Sequence, residues 1–68
     1  MYTIMFSRLY EGEMFSNSYT YNYFRPAMNC VDDIMRDYVL IPNKDGDYWT
    51  ITVFYDSHTV LTLNSAMF

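Results

Sequence analysis

Residues 48–55, YWTITVFY, alternate large apolar side chains with smaller or polar ones and are rich in β-formers. A period of two residues over this length predicts a half-buried β-strand. The turn-forming segment Asp56-Ser57-His58 follows, and residues 59–64 resume the alternation. The sequence therefore predicts a β-hairpin with one face turned toward a core.

The length of the loop decides which residues of this hairpin share a face, because a shift of one residue moves every side chain to the other face. A two-residue loop pairs Val53 with Thr62 and mixes the faces. A three-residue loop pairs Val53 with Leu61. We therefore predict the three-residue loop, with His58 in the left-handed backbone conformation that such loops use. The apolar face then consists of Trp49, Ile51, Val53, Tyr55, Leu61 and Leu63.

A second hairpin is predicted at the start of the chain. Residues 2–10 are rich in β-formers, and Glu11-Gly12 is a turn candidate. A two-residue turn there places Ile4 opposite Tyr19. The pattern is weaker over residues 13–17, which allows either strand or loop. The second strand carries tyrosines at alternate positions, namely Tyr19, Tyr21 and Tyr23.

One helix is predicted between the hairpins, where Ala27, Val31, Ile34 and Tyr38 are spaced to share one face. Pro26 suits the first turn, and Asn29 is an alternative cap. The helix is expected to end before Pro42, because a residue ahead of proline avoids helical angles. The prediction is a single α+β domain over residues 1–68, of order β-β-α-β-β, with an antiparallel sheet of two hairpins packed on one helix.

The residue inventory argues against a metal site or a cofactor. Cys30 and His58 are the only cysteine and histidine, so neither a disulfide within the chain nor a four-ligand zinc site is available. Residues 43–47 resemble a calcium loop only in part, since aligning Gly46 with its glycine puts Ile41 and Thr52 at ligand positions. No metal and no cofactor are predicted.

The same inventory argues against catalysis. His58 is the one strong candidate base, but its neighbours Ser57 and Asp56 cannot complete a triad, because adjacent residues of a strand point to opposite faces. The two glycines are too few for a loop that cradles phosphates. We predict that the chain is not an enzyme and that no residue is catalytic. A minimal enzyme using His58 is the remaining alternative.

The net charge of −4 comes entirely from residues 32–56. Four basic residues against eight acidic ones argue against direct binding to nucleic acid, which requires cations to displace counterions from phosphates. An acidic patch instead suits a partner protein with a basic surface. The alternative is that these charges only keep the domain soluble. The sequence shows no signal peptide or long apolar stretch, so we expect a cytoplasmic protein without membrane association.

Aromatic residues make up 21% of the chain, and eight residues are tyrosine. A domain this small buries only about 60% of the surface of its unfolded chain, so several tyrosines are expected at the surface, where they favour contacts with other proteins. The alternation of tyrosines also fits core packing under the helix, and both interpretations hold if another face meets a partner. The predicted partner-binding residues are Tyr19, Tyr21, Tyr23, Asp32, Asp33, Asp37, Asp45, Asp47 and Trp49.

In size, acidity and aromatic content, the chain resembles small phage-encoded inhibitors of host proteins, such as anti-CRISPR and anti-restriction proteins. The resemblance is one of composition and rests on no motif. It implies a non-enzymatic binding protein that docks on a basic, nucleic-acid-handling or defence protein in the host cytoplasm. The alternative is a structural protein that forms a homodimer, a larger homo-oligomer or part of an assembly through edge strands and aromatic side chains.

Overall fold

The computed structural model describes residues 1–39 and 48–67 of the chain. Within these residues, four strands form one antiparallel sheet in the order β2-β1-β3-β4. A helix connects the two hairpins, so the predicted α+β class and β-β-α-β-β order are confirmed. The elements are β1 (Tyr2–Tyr10), β2 (Glu13–Tyr21), α1 (Phe24–Ile34) with a π-helical turn (Met35–Val39), β3 (Tyr48–Tyr55), and β4 (His58–Asn64) with a 3-10 turn (Ser65–Met67).

The first hairpin closes through a two-residue turn in which Glu11 and Gly12 have φ of 51° and 82°. Positive φ at both positions defines a type I′ turn, whose twist matches that of the flanking strands. The predicted pairing of Ile4 with Tyr19 is confirmed. The loop interpretation of residues 13–17 is wrong, because the turn sets a register that pairs every residue of β2 with β1.

The second hairpin has the predicted register but a different loop. Val53 pairs with Leu61, as expected. The predicted three-residue loop is wrong, since Asp56 and Ser57 alone form the turn, with φ of 46° and 74°, and His58 pairs with Tyr55. Val60 has no partner on β3 and forms a β-bulge between the pairs Val53–Leu61 and Phe54–Thr59. A bulge lets the hairpin keep both the favoured short turn and a single apolar face.

Helix α1 covers one face of the sheet. Its buried residues are Ala27, Val31 and Ile34, which confirms the predicted stripe. They pack on Ile4, Phe6, Trp49, Ile51 and Val53 of the sheet. The side chain of Tyr38 and the turn predicted at residues 43–47 lie outside the described residues.

The helix begins earlier than Asn29, and its predicted capping role is therefore wrong. Tyr23 is the N-cap residue, with extended backbone angles, and its carbonyl accepts a hydrogen bond from the Ala27 N–H at 3.3 Å. Pro26 lies in the first turn, as predicted, where the N–H that proline lacks has no partner within the helix. The early start gives α1 enough length to cross the core residues of β1.

The opposite face of the sheet carries no helix among the described elements. We call it the open face. The register places on it alternate residues of all four strands, namely Thr3, Met5, Ser7 and Leu9 of β1, Met14, Ser16, Ser18 and Thr20 of β2, Tyr48, Thr50, Thr52 and Phe54 of β3, and Thr59, Thr62 and Asn64 of β4.

Neither α1 nor the turns that follow the helix and β4 have the length and apolarity that a membrane-crossing helix needs.

Candidate functional site

Most of the described aromatic side chains are at least partly exposed. Tyr23 and Phe24 are 74% and 59% exposed, and Tyr19 and Tyr55 are also classed as exposed. The prediction that several tyrosines lie at the surface is confirmed, and Tyr19 and Tyr23 do not pack as ordinary core. Trp49 is only 2% exposed, so its ring belongs to the core and its inclusion in the contact surface is wrong. The alternation of β3 turns Trp49 toward the helix with Ile51 and Val53.

A groove of about 240 Å³ lies between β2 and α1. Strand β2 contributes Tyr19 and Tyr21, which are two residues apart and therefore point to the same side of the sheet, toward the helix. Helix α1 contributes residues at relative positions 0, 3 and 4, which lie on one side of the helix, and the π-helical turn after it contributes the residue at position 7. The lining residues are Tyr19, Tyr21, Cys30, Asp33, Ile34 and Asp37. We call this feature the acidic groove.

Two carboxylates give the acidic groove its charge. Asp33 forms an exposed ion pair with Arg36, one helical turn away, which offsets part of its charge. Asp37 forms no ion pair with another residue of the described segments. None of the described residues that line the groove is a cation. The described lining therefore sets two carboxylates beside the phenol rings of Tyr19 and Tyr21.

The pKa of the Tyr21 phenol in the acidic groove is raised above its usual value, mainly by a side-chain hydrogen-bonding interaction with Cys30. Partial burial raises that pKa further, as do electrostatic interactions with Cys30, Tyr19 and Asp33. Tyr21 therefore stays a neutral hydroxyl at physiological pH and adds a polar contact without adding charge.

An aromatic surface continues from the acidic groove across the sheet. Tyr2 pairs with Tyr21 on one side and with Tyr55 on the other. We call these three residues the tyrosine row. The rings of Tyr2 and Tyr55 have centroids 4.7 Å apart, and Phe24 of α1 meets Tyr2 edge-on at 5.8 Å. Stiff rings held by one another lose little conformational entropy on binding, so this surface is suited to protein contacts.

The structure brings together four of the predicted partner-binding residues, namely Tyr19, Tyr21, Asp33 and Asp37. Tyr23 is exposed at the start of α1. Asp32 is exposed on α1 but does not line the groove. Asp45 and Asp47 lie outside the described residues.

Sequence reasoning missed Cys30 and Ile34 as groove residues, and it missed Tyr2, Tyr55 and Phe24 as surface rings. The helical spacing of Cys30 with Asp33 and Asp37 was a usable signal. So was the two-residue turn at Glu11-Gly12, because the register that sets Ile4 opposite Tyr19 also sets Tyr2 opposite Tyr21.

In residues 1–39 and 48–67, no three His, Cys, Asp or Glu side chains come together in a way that would hold a metal ion. The side chains that line the acidic groove offer carboxylates, hydroxyls, a thiol and a wall of rings. This set of groups can accept hydrogen bonds from a cation and stack against it. Comparison with known proteins finds no match among family models, curated proteins or solved structures.

Proposed function

We propose that this chain is a small non-enzymatic protein-binding domain that docks on a basic surface of another protein. A Lys or Arg side chain of the partner enters the acidic groove, and the tyrosine row contacts the surface around it. The observation that carries the proposal is the convergence of Asp33 and Asp37 with Tyr19 and Tyr21 in one groove.

The size of the acidic groove favours a single side chain as its occupant. Its volume of about 240 Å³ lies below the roughly 300–1,000 Å³ of pockets that enclose drug-sized ligands. A guanidinium or ammonium group fits this space and matches its charge. Arginine suits it best, since its planar group binds carboxylates in a bidentate way and stacks on aromatic rings.

The tyrosine row supplies the apolar contact that charge alone does not give. An exposed ion pair contributes about 0–1 kcal/mol, which is too little for a specific complex. Buried tyrosines, by contrast, often dominate the binding energy of an interface. Charge would steer the encounter, and Tyr2, Tyr55 and Phe24 would hold the complex.

The resemblance to phage-encoded inhibitors makes the proposal more specific. Proteins that handle nucleic acid carry basic surfaces, and a small acidic domain that occupies such a surface blocks it. An inhibitor of an anti-CRISPR or anti-restriction kind is the form of the proposal that this composition favours. Such an inhibitor would compete with nucleic acid for its partner, which a gel-shift competition measures once the partner is identified.

The groove itself is tested with a defined probe. We suggest titrating the isotope-labelled protein with the peptide acetyl-Gly-Arg-Gly-amide and with its citrulline analogue, which has the same shape but no charge. We expect NMR amide shifts to concentrate at the residues that line the acidic groove, and only with the arginine peptide. Equal shifts with both peptides, or shifts centred elsewhere, would contradict the proposal.

Matched variants distinguish binding in the groove from a general effect of the negative net charge. Asp33→Asn with Asp37→Asn should weaken binding of the arginine peptide by about 2- to 30-fold, taking about 0.2–1 kcal/mol for each exposed charge pair. Asp32→Asn removes a charge from the same helix outside the groove and should leave binding nearly unchanged. A similar loss of affinity in Asp32→Asn would mean that net charge, and not the groove, controls binding of the peptide.

A further inference from the structure

The open face of the sheet has an unusual composition for a surface in water. None of the described residues that the register places on it is charged, although the chain contains 12 charged residues in all, four basic and eight acidic. Soluble surfaces are about 25–35% charged. This face therefore lacks the groups that usually keep a sheet surface separate from other molecules.

Apolar side chains lie exposed on the same face. Met14 is 60% exposed, Tyr48 is 47% exposed and Met5 is 46% exposed. Leu9 pairs with both Met14 and Tyr48, so these three residues form an apolar row across three strands. Methionine and tyrosine are enriched in protein interfaces, and charged residues are depleted at interface cores.

The polar groups of the open face are suited to burial. They are mainly hydroxyls, which are less costly to remove from water than charges. The Ser7 and Ser16 hydroxyls already hydrogen-bond to each other across β1 and β2, at 3.2 Å. A molecule that covers Ser7 and Ser16 need not supply a hydrogen-bond partner for both hydroxyl oxygens.

We infer that the open face binds the open face of a second copy of this chain, to form a twofold symmetric dimer. A twofold interface sets the same surface against itself, so an uncharged face meets an uncharged face and no charge is left buried without a partner. A different protein would have to bring a similarly uncharged surface, and the open face offers no charge to select one.

The available area meets the requirement for a dimer. Four strands about 4.8 Å apart, over about eight residues of about 3.4 Å, cover roughly 500 Å² of sheet. Two such faces bury about 1,000 Å² in total, which is the lower limit for a specific interface. Self-association would also add stability that a small domain commonly needs, because the buried core includes only eight of the described residues.

The inference is tested by the molecular mass in solution, measured by sedimentation or light scattering over a range of concentrations. We expect the mass to rise toward twice the chain mass of 8.2 kDa. Met5→Lys, near the middle of the open face, should weaken dimerisation at least about tenfold, because like charges would meet across the interface. Asn29→Lys, on the exposed side of α1, is the control and should dimerise like the native chain.

Two further variants make the result decisive. If Met5→Lys loses its folded circular dichroism spectrum, Thr52→Lys on the neighbouring strand takes its place. Ser18→Pro blocks pairing at the free edge of β2 but leaves its pairing with β1, because Ser18 is at a position whose N–H points away from β1. The inference is overturned by a native chain that stays monomeric, by lysine variants that still dimerise, or by a dimer lost only in Ser18→Pro.

Discussion

Deleting Val60 should leave the protein folded, although removing one residue from a strand normally moves all later side chains to the wrong face. Val60 is the extra residue of the bulge in β4, where Val53 pairs with Leu61 and Phe54 pairs with Thr59. Without it, Leu61 and the residues after it keep their partners on β3. Val60 is more than half exposed, so little apolar burial is lost. We expect a stability change within about 1 kcal/mol, or a Tm shift below about 8 °C.

Deleting Thr52 is the matched control, because it removes one residue from β3, which pairs with β1 without a bulge. Ile51 then moves opposite Met5, and Trp49 moves opposite Ser7, both on the open face. Both residues are buried in the native chain, and exposing the isoleucine alone costs about 1.5–3 kcal/mol. Exposing the larger indole adds at least as much. A core of this size supplies about 3–5 kcal/mol, so this variant should be largely unfolded.

The assay is urea unfolding at low protein concentration, so that self-association does not contribute. Trp49 is the only tryptophan and is buried in the core, which makes its fluorescence a direct reporter of folding. The reasoning would be refuted if both deletions destabilised the protein equally, or if the variant lacking Thr52 were the more stable. Either result would mean that the bulge does not absorb the extra residue of the second hairpin.

Two further predictions concern the second turn and the Tyr21 phenol. Ser57→Gly should raise stability by about 0.5–1 kcal/mol, because Ser57 has φ of 74°, which glycine adopts without strain. Thermal unfolding checks this, with Ser57→Ala as the control that should not gain. The raised pKa of Tyr21 stabilises the folded state below about pH 10 and less as the phenol ionises above that value. The stability of Tyr21→Phe should therefore fall less than that of the native chain between neutral and strongly alkaline pH, as measured by urea unfolding, and equal losses would contradict this.

The sequence predicts much of the fold because apolar and polar residues are separated so clearly. The alternation of β3 alone assigns Trp49, Ile51 and Val53 to one face, and they are buried there. The two-residue turn at Glu11-Gly12 gives the correct register of the first hairpin. The strand order is not encoded in such local patterns, because pairing β1 with β3 depends on how both hairpins meet under the helix.

The loop of the second hairpin shows why a correct register does not imply a correct turn. Keeping the apolar residues of both strands on one face requires one extra, unpaired residue in the hairpin. The sequence pattern does not say where that residue lies. A three-residue loop would put it at His58, whereas the structure places it in the bulge at Val60. The type I′ turn at Asp56-Ser57 matches the strand twist, and the bulge two residues beyond His58 keeps Leu61 and Leu63 on the apolar face.

The acidic groove could be predicted only in its parts. The tyrosines of β2 and the aspartates of α1 were each visible in the sequence. Their convergence depends on the angle at which α1 crosses β2, which side-chain packing decides. The sequence predicts Trp49 both on the apolar face and in the contact surface, and its burial of all but 2% of the side chain assigns it to the core.

The two proposed surfaces lie on opposite layers of the same thin domain, and this placement limits what a dimer can do. If two open faces pack about 10 Å apart, as stacked sheets do, the helices lie on the outer sides of the pair, about 30 Å apart. The two acidic grooves then face away from each other. A single flat partner cannot engage both, so the dimer would gain no avidity from one partner molecule. It would instead join two partner molecules, and a complex of two chains with two partners is the stoichiometry that both proposals together require.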